Sequence, residues 1–127
     1  MSDLGRVILM ILHVSDLERS VQFYRDLLEI PLQPGLNDPQ DDPWFGGQHA
    51  EISWRDGAYL HFALFPARPP HGATSGAELG LLVADAAQLH DRIAARVEVL
   101  HAPRPEPWGL TARYLDPDGN IVGITSR

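Results

Sequence analysis

Val7-Ile8-Leu9-Met10-Ile11-Leu12-His13-Val14, followed at once by Ser15-Asp16-Leu17-Glu18, is the stretch on which the fold turns. The run is apolar, rich in β-branched residues and short, as a buried strand requires, and far below the length of a membrane span. It stops at a helix start. Ser15 and Glu18 have capping-box spacing, and Asp16 adds negative charge where a helix N-terminus favours it. Leu17, Val21, Tyr24 and Leu28 then recur at helical spacing until Pro31 closes the segment.

The same grammar returns later in the chain. Gly80-Leu-Leu-Val83 is a second short apolar strand, and it stops at Asp85-Ala86-Ala87-Gln88, again an acceptor with Gln three residues on. Val14-Ser15-Asp16 and Val83-Ala84-Asp85 superpose at an offset of 69 residues, and Leu89, Ile93 and Val97 continue a shorter helix. Downstream, Glu51 to Trp54 and Leu110 to Leu115 read as strands that lead into Asp56-Gly57 and Asp118-Gly119. Asp-Gly is a hairpin signal because Gly tolerates positive φ. Ala58 to Phe65 and Asn120 to Thr125 are the expected closing strands, with Leu32-Gln33 and Val99 to His101 as further short ones. Each half therefore reads strand, helix, strand, strand, strand. The halves span roughly residues 5–66 and 77–127, and Ala67 to Gly76 forms a Pro/Gly-rich linker. A half of this size buries too little surface to stand alone. The expectation is one α+β domain over residues 1–127, built from two βαβββ modules with cupped mixed sheets. The pairing of modules within one chain, or by exchange across a dimer, is left open.

Composition narrows the chemistry. The 127 residues contain no Cys, which removes disulfides, thiolate catalysis and thiolate-based metal sites. They contain no Lys either, which removes Schiff-base chemistry and a Lys general base. A net charge of −7 disfavours nucleic acid and suits a cationic ligand. No targeting or membrane segment is visible, so the expectation is a soluble, cytoplasmic protein with no membrane partner.

Val14-Ser15-Asp16-Leu17-Glu18-Arg19-Ser20 with Phe23-Tyr24-Arg25-Asp26-Leu27-Leu28, then Pro107-Trp108-Gly109 and Asp116-Pro117-Asp118-Gly119-Asn120, together resemble the vicinal oxygen chelate superfamily. That group comprises glyoxalases, bleomycin resistance proteins and extradiol dioxygenases. The resemblance covers nearly the whole chain and implies paired βαβββ modules, cupped sheets and a homodimer with two clefts. In enzymatic members it also implies one divalent metal (such as Zn, Ni, Mn or Fe) held by His, Gln or Glu from the first and last strand of each module. Carried onto this sequence, the four metal positions read Leu9, His61, Glu78 and Gly123. Leu9 and Gly123 have no side-chain donor, whereas a catalytic metal normally takes three protein ligands. The expectation is no metal and no cofactor, with a divalent ion on His61 and Glu78 as the alternative.

Strand alternation adds the cavity lining: Val7, Leu9, Ile11 and His13; Tyr59, His61, Ala63 and Phe65; Glu78, Gly80 and Leu82; Ile121, Gly123 and Thr125. An apolar wall with a few polar points describes a small-molecule site. The candidate ligand-binding residues are His13, Tyr59, His61, Glu78 and Trp108, the last a planar aromatic in a loop. His61 and Glu78 are expected either to act as an acid–base pair or to fill the vacated metal site. Arg113 and Tyr114 face opposite ways, so at most one enters the cavity. Trp44 and Phe45 behind the acidic loop Asp38 to Pro43 form either a lid or a solvated loop, and His49, His71, His90 and His101 read as surface residues. The reading is a metal-independent binder of a partly aromatic, cationic small molecule. The alternatives are a metal-dependent lyase, isomerase or dioxygenase, and a module that works through protein partners.

Overall fold

Leu9–Val14 forms β1, and the helix signal behind it is obeyed: α1 begins at Leu17 and spans Leu17–Val21. The cap is Asp16, not Ser15; its carboxylate accepts from the Arg19 backbone N–H at 3.1 Å. Ser15 instead reaches across the chain, its N–H and hydroxyl both donating to Asp118, at 3.1 and 2.5 Å. Beyond Val21 the helix widens into π turns over Gln22–Leu27 and ends on Glu29 at φ +64°. β2 (Gln33–Asn37), β3 (Gly47–Trp54) and β4 (Leu60–Pro66) complete the first module. The second repeats the order with β5 (Glu78–Leu82), α2 (Ala86–Ile93, tightening to a 3₁₀ turn over Ala94–Arg96), β6 (Glu98–Glu106), β7 (Gly109–Leu115) and β8 (Ile121–Ser126). This computed structural model describes residues 5–37, 47–69 and 72–127. The acidic loop 38–43, Trp44, Phe45 and His71 lie outside the described residues.

Two four-stranded mixed sheets result, in the orders β1-β4-β3-β2 and β5-β8-β7-β6. The outer strands β1 and β5 run parallel to β4 and β8, and the remaining pairs are antiparallel. A parallel pair needs a crossover connection, which the chain through α1 or α2 supplies, whereas strands joined by a short turn, such as β6 and β7, pair antiparallel. β2, β3 and β6 run well beyond the residues expected, to Asn37, from Gly47 and to Glu106. Pro103 and Pro105 make β6 look like a loop, but β6 is an edge strand, where a missing N–H costs no ladder bond. In the second turn Gly119 takes φ +88°, while Gly57 in the first does not enter the left-handed region.

One face of each sheet is sealed by its helix. Leu12, Val14, Tyr24, Phe62 and Leu64 from the first module and Leu89, Ile93, Tyr114, Val122 and Ile124 from the second belong to one continuous core. Beside it one polar bond crosses between modules and others tie the linker to the second module. The Tyr24 hydroxyl donates to Asp116 at 2.6 Å, and fully buried Asn120 donates to the Thr74 carbonyl and accepts from the Ala77 N–H. The opposite face of each sheet is the one that carries the candidate site.

Candidate functional site

On the open face of the first sheet, period-two alternation along β3 aligns His49, Glu51 and Ser53. The register sets Ser53 opposite His61, His61 opposite Leu9, and Glu51 opposite Ala63. The polar groups touch. Ser53 Oγ lies 2.7 Å from His61 Nδ1, while Glu51 Oε1 lies 3.4 Å from His61 Nε2 and 3.1 Å from His49 Nε2. His49 is 4% exposed, with its ring stacked on Phe65 at 4.4 Å between centroids. Its expected surface position is therefore wrong: cross-strand stacking and the Glu51 carboxylate hold it inside. The glycine at 35 makes this possible, since a Cβ there would fall 2.3 Å from His49 Nε2. Leu9, Ile11, Ala63 and Phe65 share the face with these polar groups.

The matching face of the second sheet centres on Arg113. Its guanidinium reaches Glu78 at 3.3 Å and Glu106 at 3.9 Å, and donates to His101 Nε2 at 3.0 Å. Because arginine only donates, His101 accepts at Nε2 and its Nδ1–H serves the Ala102 carbonyl at 2.9 Å. A hydrogen bond from Arg104 holds the Glu106 carboxyl below the usual carboxylate range. Arg113 and Tyr114 do face opposite ways. Tyr114 is buried on the helix side with its hydroxyl 2.8 Å from His90 Nδ1, and burial pushes its phenol up to about 12. His90 and His101, expected on the surface, are partly covered and each has a hydrogen-bond partner.

The candidate residues fall into separate groups. His13, on β1, is half-buried on the same face as His61, and its N–H donates to Thr74 Oγ1 at 2.9 Å. Tyr59 belongs to the turn before β4, with the Arg55 guanidinium over its ring at 5.1 Å. Trp108 occupies the turn between β6 and β7 and is half exposed. His61 and Glu78 do not pair: among the described residues no hydrogen bond or ion pair joins them, and each has a nearer partner of opposite character on its own sheet. Glu78 instead borders an inter-module cleft of about 890 Å³, lined by Trp54, Phe62 and Leu81 among others. In the second sheet, Glu78 sits opposite Ile121 and Gly123 opposite Gly80, so the expected ligand pair is staggered by two residues.

Glu51 and Ser53 went unrecognised in the sequence, although alternation through His49-Ala50-Glu51-Ile52-Ser53 aligns them. The residues do not fit the divalent metal of enzymatic superfamily members. Leu9 and Gly123 offer no donor, Arg113 holds Glu78, and Ser53 and Glu51 hold His61. Among the described residues no group of three His, Asp or Glu is arranged around a common ion position.

Paired βαβββ units, each with one helix-sealed and one open sheet face, define the class of fold. The chain belongs to the Glyoxalase/Bleomycin resistance protein/Dioxygenase superfamily, whose profile matches residues 6–124. TnmS3, an antibiotic binding protein from Streptomyces sp. CB03234, is 26% identical over 99% of this chain and 98% of its own, with a TM-score of 0.71. A glyoxalase/bleomycin resistance protein from the same organism is also 26% identical, covering 94% of this chain and 99% of its own at a TM-score of 0.69. A lactoylglutathione lyase from Agrobacterium tumefaciens shares the fold at 21% identity and a TM-score of 0.65, over 98% and 96% of the two chains. No curated protein matches the chain.

Proposed function

We propose that this protein binds a small aromatic, cationic molecule against its open sheet faces without a metal. One observation carries the reading: two of the four superfamily metal positions are Leu9 and Gly123, and the other two are already engaged by Glu51, Ser53 and Arg113. What remains is an apolar wall with a few fixed polar groups, the usual make-up of a small-molecule site. The likeness to an antibiotic-binding protein over nearly the full chain supports the same choice. His13, His61 and Glu51 would orient the ligand on the first sheet. Tyr59, Glu78 and Trp108 would meet it from turns and from the second sheet.

We also read the chain as one cooperative unit of two modules that works as a homodimer in the cytoplasm. The continuous core supports the first part, and the proline-free edge strands β1 and β5 support the second. No helix among the described residues is long and apolar enough to cross a membrane.

Titrating planar aromatic cations against the protein, followed by tryptophan fluorescence and melting temperature, tests the reading. A ligand at one hundred times its Kd should stabilise the fold by about 2.7 kcal/mol. His61→Ala should weaken binding at least tenfold. A stoichiometric divalent metal in untagged protein, or no response across a broad library, overturns the proposal.

A further inference from the structure

We propose that Ser53 is a nucleophile that accepts acyl groups from aryl esters, with His61 as its base. The two residues are register partners on adjacent strands, and Ser53 Oγ lies 2.7 Å from His61 Nδ1. The other ring nitrogen, Nε2, faces the Glu51 carboxylate at 3.4 Å. A carboxylate only accepts, so the single proton of the neutral ring belongs on Nε2, and the Nδ1 lone pair is left for the serine hydroxyl. A nucleophile, a base within hydrogen-bond reach, and a third group orienting the base is the arrangement that activates a hydroxyl. Glu51 is itself fixed, because His49 meets its carboxylate at 3.1 Å from a position locked between Phe65 and Gly35.

Access and substrate class follow from the same face. Ser53 and the His61 side chain are only partly covered, and Leu9, the cross-strand partner of His61, is half exposed. An aryl group can lie on that leucine while the ester carbonyl meets Ser53. Phenoxide leaves with little assistance, which suits a site on an open sheet. In the first step Oγ bonds to the carbonyl carbon, its proton passes to Nδ1, and the carbon–oxygen bond to the aryl group breaks. The phenoxide departs with that proton as the phenol. Water then attacks the acyl-serine with the same base, releasing the carboxylic acid and restoring the hydroxyl.

The reaction shares its face with the proposed binding site but does not rest on binding, because it is read as a covalent bond. The full chain is treated with para-nitrophenyl acetate. The expected result is a burst of nitrophenolate near one equivalent per chain and one acetyl group on the peptide that carries Ser53. If deacylation outruns acylation, steady turnover that is lost in Ser53→Ala supports the proposal equally. His61→Ala should slow acylation about a hundredfold or more, and Glu51→Gln should slow it while the melting temperature of Ser53→Ala stays near wild type. An acetyl group on any other residue, an unchanged rate in Ser53→Ala, or no release above buffer overturns it. An aromatic cation that still binds in that last case leaves the binding reading standing.

Discussion

Tyr24 shows how much one side chain can carry. It is wholly buried, with Phe23 and Phe62 edge-on at 4.9 and 5.8 Å, and its hydroxyl donates to Asp116 at the far module. Asp116 also accepts from the Asp118 and Asn120 N–H groups and from the Asn120 amide, so its charge sits among four donors. Tyr24→Phe keeps the ring packing and removes one donor to a charged acceptor, which should cost about 1.5–3 kcal/mol. The phenol is raised well above its ordinary value, first by burial and then by Asp116 and Asp118. Above pH ~10 the unfolded tyrosine releases its proton and the native one does not, so stability falls as pH rises. Tyr114, pushed up by burial to about 12, adds to the same fall. Urea midpoints at pH 8 and pH 11 should show wild type losing stability and Tyr24→Phe losing less.

At the scale of elements, the helix and strand signals were readable because each depends on a local pattern. Asp16, Asp85, the two apolar runs and the second Asp-Gly turn all act within a few residues, and each produced the expected element. What could not be read depends on neighbours. The extension of β6 through two prolines follows from its edge position, and the burial of His49 follows from Phe65 and Gly35 on other strands. The end of α1 belongs to the same group. Ile30 N–H bonds the Tyr24 carbonyl at 3.0 Å, closing a wide terminal turn that forces Glu29 to φ +64°. A side chain in this region costs roughly 1 kcal/mol, and the exposed Glu29–Arg92 pair at 2.8 Å returns about 0–1 kcal/mol. Glu29→Gly should therefore melt at or above wild type, and Glu29→Ala below Glu29→Gly. Thermal scans of the two variants decide it; Glu29→Gly falling well below wild type would show that the ion pair outweighs the backbone.

For the whole molecule, the faces of the four metal-position residues were legible from strand alternation, but their partners were not. His61 and Glu78 each meet a partner on their own sheet, Glu51 and Arg113. β2 is blocked by Pro34 and β6 by Pro103 and Pro105, devices that stop an edge strand from recruiting another. β1 and β5 have no proline, and Glu78 is their only acidic or arginine side chain. They are also the strands that pair in parallel, an arrangement normally covered on both faces. Yet Val7 and Ile8, just before β1, are 72% and 52% exposed, and Leu82 is 68% exposed. Edges left open and apolar on both modules fit association with a second copy, and burying such a leucine is worth about 1.5–3 kcal/mol. Sedimentation should find a dimer whose melting temperature rises with protein concentration. Val7→Lys combined with Leu82→Lys should give a folded monomer whose melting temperature no longer depends on concentration. A wild-type chain that sediments as a monomer at tens of micromolar would refute pairing through these edges.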